Sequence, residues 1–154
     1  LLLAIINSMP FDYITRVKFY GANLIKNIIE QLPIIPFQRL FEIEEEIISR
    51  VLKLSYTSST IKSFADELNY SGEPFVFNLN ERYRIKCVLD AIISHLFDVE
   101  KDDLDYMLNS FPILRSKEIA LFGSYRTKET ILKLYDEFAW VREEMGQQKA
   151  NKIT

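Results

Sequence analysis

One cysteine, one histidine and four glycines among 154 residues exclude several kinds of chemistry at once. The lone Cys87 cannot close an internal disulfide, and one Cys beside one His cannot build a Cys-based structural zinc site. Four glycines and five prolines are too few for an all-β sandwich with its many tight turns. Nor do glycines cluster ahead of a helix, as a P-loop or a dinucleotide fingerprint needs. The apolar opening Leu1-Leu2-Leu3-Ala4-Ile5-Ile6 falls far short of the roughly 20 residues that span a bilayer. It also lacks the basic flank and small-residue cleavage site of a signal peptide. The expected setting is a reducing cytoplasm, without a membrane.

The composition that remains is that of an ordinary globular protein, with 48% apolar and 27% charged residues. The length suits one domain or a compact pair of helical subdomains, enough to bury a core. Without an initiator Met, the chain reads as an excised C-terminal piece cut just inside a buried helix. Its net charge of −3 is unevenly spread: residues 1–36 sum to about +1, residues 37–111 to −6 and residues 112–154 to +2. That is mild polarity and not the basic stripe of a protein that coats DNA.

Hydrophobic spacing predicts a mainly α, compact multi-helix domain with at most a short β element near 75–77. Leu2, Leu3, Ile5, Ile6 and Met9 suggest a buried first helix. Ser8 is a plausible N-cap with Pro10 in the first turn of a second helix reaching Lys18. Gly21 marks a turn, Asn23 is placed to cap the run from Leu24 to Ile29, and Pro33 and Pro36 bracket an extended linker. From Phe37, Leu40, Ile43, Ile47, Val51 and Leu54 repeat at helical spacing until the Ser/Thr cluster at 55–60 breaks them. A shorter helix over 59–68 and a loop over 69–74 follow, then Phe75-Val76-Phe77 as a short strand or an apolar tether. Asn80 is the expected cap of a helix with Ile85, Val88, Leu89, Ile92 and Leu96 on one stripe. Asp102 and Asp103 open another through Asn109, and Pro112 is expected to end that region. A last helix from about Thr127 carries Ile131, Leu134, Tyr135, Phe138 and Val141, and the tail 147–154 is polar and expected to fray.

Few residues carry recognisable chemistry. His95 is more readily structural than catalytic, and Cys87 is most simply a small buried hydrophobe. Asp102, Asp103 and Asp105 crowd one helix and do not form a calcium loop, and Glu44 to Glu46 read as a solvated face. Asp66-Glu67 and Glu129-Thr130-Ile131 lack the Lys partner of a nuclease metal site. Most of the nineteen Tyr and Phe residues fall at helical spacing and belong to a core. Tyr20 and Tyr125 lie instead in Gly-containing turns beside basic residues, where an aromatic ring can be exposed to stack a base.

Two stretches resemble a known family. Phe111-Pro112-Ile113-Leu114-Arg115-Ser116-Lys117-Glu118 runs into Gly123-Ser124-Tyr125-Arg126-Thr127-Lys128 and a closing helix. Near the start stand Asn7-Ser8, Phe11-Asp12-Tyr13, Arg16, Lys18, Gly21, Leu24 and Gln31-Leu32-Pro33 with Pro36. Both are similar to the end of prokaryotic restriction-modification proteins that join an adenine-specific DNA methyltransferase to, often, a nuclease. The resemblance covers about 4–36 and 80–141 and leaves 55–78 unmatched. It implies that residues 1–36 end a target-recognition region, that 37–146 form a helical C-terminal module, and that double-stranded DNA is the partner of the parent protein.

The same resemblance places S-adenosylmethionine and catalysis upstream, since the family's Asp/Asn-Pro-Pro-(Tyr/Phe) motif has no counterpart here. The fragment itself is expected to hold no catalytic, cofactor or metal residue and to pack on the upstream methyltransferase domain. Its DNA-contact candidates are Arg16, Lys18, Tyr20 and Asn23 near the first match, and Arg115, Lys117, Tyr125, Arg126 and Lys128 in the second. In the family's Lys-x-Gly-Gly-(Thr/Ser) phrase, Tyr20 and Ala22 replace a Gly and the Thr, which weakens a phosphate-binding turn. Arg115 to Lys128 either neutralises phosphates or pins the domain by charge-assisted bonds; its apolar flanks favour a packed loop. A purely structural helical module that touches no nucleic acid is the rival reading. A small-molecule enzyme is disfavoured by the lone His and scattered carboxylates.

Overall fold

The computed structural model describes residues 1–19 and 26–143, and among them the chain is helical without a strand. Nine α-helices run α1 (Leu2–Ile6), α2 (Met9–Lys18), α3 (Lys26–Ile29), α4 (Glu44–Ser55), α5 (Lys62–Glu67), α6 (Leu79–Leu96), α7 (Lys101–Asn109), α8 (Pro112–Phe122) and α9 (Arg126–Glu137). Short 3-10 turns lead into α4 and α5.

α6 is the axis. Its 18 residues span about 27 Å, and every residue from Cys87 to Leu96 is buried. A helix buried all round must be enclosed by others. α9 covers it most extensively, α4, α2 and α1 close other sides, and α7 braces α9 and α2. The expected stripes are confirmed: Ile85, Val88, Leu89, Ile92 and Leu96 join Leu40, Ile43, Ile47, Val51, Ile131, Leu134, Tyr135 and Val141 in one core. The unmatched segment makes a small aromatic cluster of its own, where Leu52, Tyr56 and Ala65 pack with Tyr70 and Phe75. Tyr70 stacks on Phe75 with ring centroids 5.1 Å apart, and the Phe75 N–H donates to the Tyr56 carbonyl. Residues 75–77 are thus an extended tether and not a strand.

Helix ends are held largely by side chains from elsewhere. Ser8 caps α2 as expected, its Oγ accepting from the Phe11 N–H. α6 is capped by Asn78 and not Asn80: the Asn78 Oδ1 accepts from the N–H groups of Asn80 and Glu81, while Asn80 lies exposed inside the first turn. The C-terminal carbonyls of α4, α6 and α7 accept from Arg82, Arg39 and Tyr125. His95 Nε2 lies 2.8 Å from the Tyr135 carbonyl in the last turn of α9.

Two expectations fail for physical reasons. In α1 only Ala4 and Ile5 are buried, because so short a helix turns a single face inward; Leu2, Leu3 and Ile6 are exposed. α7 ends at Asn109 ahead of Pro112 as expected, but Pro112 also begins α8, which was not foreseen and where a missing N–H costs nothing at the first position. The stretch 115–128 is therefore mostly helix, and not a packed loop, broken at Gly123, whose φ of 77° suits glycine as C-cap. The tail 147–154 lies outside the described residues, as do Gly21 and the Asn23 cap.

Candidate functional site

The basic candidates divide into engaged and free. Arg16 pairs with Asp12 at 2.9 Å, and its guanidinium sits 5.4 Å from the centre of the Phe111 ring. Lys18 Nζ donates to the Gln31 carbonyl at 2.8 Å. Lys128 pairs with Asp105 at 2.7 Å, and Arg126 lies 4.1 Å from the Tyr83 ring centre and 5.3 Å from that of Phe122. Lys128 also donates to the Asn109 Oδ1 at 3.3 Å, so Arg16 and Lys128 meet the α7–α8 turn at Phe111 and at Asn109. Arg115 and Lys117 are exposed on α8 and make no ion pair among the described residues. Tyr125, expected in an exposed turn, is buried, and its hydroxyl donates to the Leu108 carbonyl at 3.0 Å. The turn at Gly123 is short enough to swing the ring inward; burial pushes the phenol up to about 12. Tyr20 and Asn23 lie outside the described residues.

α8 is built inside out. Glu118 is its one buried residue, while Ile113, Leu121 and Phe122 are 85%, 64% and 55% exposed. Glu118 is held because its carboxylate accepts from both the backbone N–H and the hydroxyl of Thr127, in the first turn of α9. An exposed helix with apolar residues on several sides has surface left to cover.

A second feature escaped sequence reasoning. A cleft of about 580 Å³ runs along α6, walled by α1, α4, α8 and α9 and lined by Leu3, Val51, Leu54, Leu89, Leu114 and Asp90 among others. Asp90 is only 7% exposed, and its Oδ1 accepts from the Met9 N–H, the first amide of α2, at 2.7 Å. Burial raises this carboxyl to about 7, against the pull of that N–H and of Lys86. Cys87, also on the wall, has its thiol pushed up to about 12 by burial and by the Asp90 charge, so it stays protonated at neutral pH. Asp90 was invisible in sequence because a carboxylate within an apolar stripe reads as a residue on the solvated side.

His95 is fully inside, stacked on Tyr135 with ring centres 3.9 Å apart. Since Nε2 faces a carbonyl, it carries the proton, and the buried Nδ1 has no partner among the described residues. Burial lowers the pKa of this imidazole, so it is a neutral packing element. Among the described residues no three His, Cys, Asp or Glu side chains gather to hold a metal, and no helix is long and apolar enough to cross a membrane.

The helical fold and its cleft define the class of this protein only as a compact all-α module. Compared with known proteins, the chain matches no family model, no curated sequence and no solved structure.

Proposed function

We propose that the chain is a non-catalytic C-terminal module of a restriction-modification adenine DNA methyltransferase or fused endonuclease. It would couple the target-recognition region to the body of that enzyme, which binds S-adenosylmethionine upstream. The observation that carries the reading is α8, which spans the family-like phrase and turns Ile113, Leu121 and Phe122 outward around a single buried Glu118. Residues of that kind are stable in water only at a price in exposed apolar area, and an upstream domain packed on them removes it. Arg115 and Lys117, exposed and unpaired among the described residues, are the cations best placed to meet a phosphate or an acidic neighbour. The rival, a purely structural module without nucleic-acid contact, is favoured by the engagement of Arg16, Lys18, Arg126 and Lys128 within the fold.

Hydrogen exchange of the full-length enzyme against this chain alone tests the coupling. Amides of 112–122 should gain protection in the full-length protein, and equal exchange in both would sink the docking role. Replacing Arg115 and Lys117 by Ala in the full-length enzyme separates the two readings. A salt slope for DNA binding flattened by about one unit per lost contact supports phosphate contact; an unchanged slope supports the structural rival.

A further inference from the structure

We propose that the cleft along α6 is a ligand site for a protonated amine carried on an apolar body, with the Asp90 carboxylate as its counter-ion. The site is independent of the restriction-modification reading. Buried carboxylates are normally paired with a cation or saturated with hydrogen bonds. Asp90 has neither: one oxygen accepts from the Met9 N–H, and the other receives no hydrogen bond among the described residues. Yet that second oxygen is not sealed in protein, because Asp90 is part of the cleft wall.

The surroundings select the ligand. Lys86, one helical turn earlier on α6 and on the same cleft, acts on Asp90 through its charge but is exposed and lies beyond ion-pair distance, so it leaves the second oxygen open. Arg82, further along, is committed to the Leu54 carbonyl at 2.7 Å and to the Phe77 ring at 4.6 Å. Glu118 does not compete, since both of its oxygens are taken by Thr127. A divalent ion would want several oxygen ligands, and only one carboxylate lines the cleft. An anion would meet the Asp90 charge. An ammonium placed on the free oxygen returns the solvation that burial removed, and Leu3, Val51, Leu54, Leu89 and Leu114 receive its aliphatic part. The cleft volume of about 580 Å³ admits a small primary amine.

Three probes of similar length and different head charge test this on the chain as it stands: n-butylammonium, n-butanol and pentanoate. Each is titrated at about pH 8, above the value of about 7 at which burial holds the Asp90 carboxyl, while the amide resonances of Met9 and of 86–91 are followed by NMR. The ammonium should saturate with shifts at these amides and bind at least about tenfold more tightly than butanol, with pentanoate weaker still. Asp90→Asn should bring the ammonium down to the butanol level. A preference below about tenfold in the unaltered protein, or shifts that avoid the cleft, overturns the site whatever the variant does.

Discussion

Replacing Asp90 by Asn should stabilise the protein at alkaline pH and leave it nearly unchanged in acid. In the folded state burial holds this carboxyl at about 7, against an ordinary value of 3.8. Between those two pH values the folded chain keeps a proton that the unfolded chain has released. The contribution of Asp90 to stability is therefore complete below about pH 3.8 and is lost as pH rises through about 7. A shift of about three units corresponds to about 4 kcal/mol, the upper bound on what the carboxylate takes from stability near pH 8. Asn keeps an oxygen for the Met9 N–H, now without a charge to bury. Urea unfolding followed by far-ultraviolet circular dichroism, at about pH 5 and about pH 8, gives the difference between the two proteins. Because the other acids are common to both, that difference isolates Asp90. The variant should gain about 2–4 kcal/mol at the higher pH and roughly two-fifths of that, about 1–2 kcal/mol, at the lower, where the unfolded carboxyl has already ionised. A variant less stable at pH 8 would refute the reasoning, and would mean that the α2 N-terminus holds a charged Asp90 at a profit.

Three further outcomes follow from the packing. Ile92, fully buried where α6 meets its neighbours, should cost about 2–5 kcal/mol when cut to Ala, read from the same urea curves. For His95, whose imidazole is depressed by burial, the unfolded chain takes up a proton first. Its share of stability is present above the unfolded value of about 6.5 and is lost as pH falls toward the lower folded value, so its ring protons should not titrate near 6.5 by NMR. Gly123→Ala places a side chain in open space at φ 77°, so the cost is backbone strain alone, about 1–2 kcal/mol in thermal unfolding, with Gly123→Asn losing less.

What the sequence made legible is what periodicity encodes. α4, α6 and α9 each carry a stripe whose members lie in the core, and Ser8 with Pro10 marks the start of α2 as its chemistry requires. α8 was missed because its apolar residues point in several directions and no stripe announces a helix. Pro112 is equally at home after a helix or at the first position of one, and only the backbone decides. Of the nine proposed DNA contacts, the structure leaves Arg115 and Lys117 free and turns Tyr125 inward, because a hydroxyl within reach of a bare helix-end carbonyl outweighs exposure. Asp90 and Glu118 were not singled out. Each makes sense only beside the helix start it serves, and that neighbour is distant in sequence for Asp90 and separated by a turn for Glu118.

The end caps described above also determine how the molecule comes apart. Asp90 of α6 holds the start of α2, Arg82 of α6 the end of α4, His95 of α6 the end of α9, and Tyr125 the end of α7. A helix that melts by itself leaves its neighbour with an orphaned terminus as well as an uncovered face. Partial opening is thereby penalised twice, which narrows the gap between local and global unfolding. Hydrogen exchange in α2, α4, α6, α7 and α9 should then converge on one free energy, as in a single cooperative unit. α8 joins this network through Glu118, which holds the start of α9, while its outward Ile113, Leu121 and Phe122 stay available to a partner.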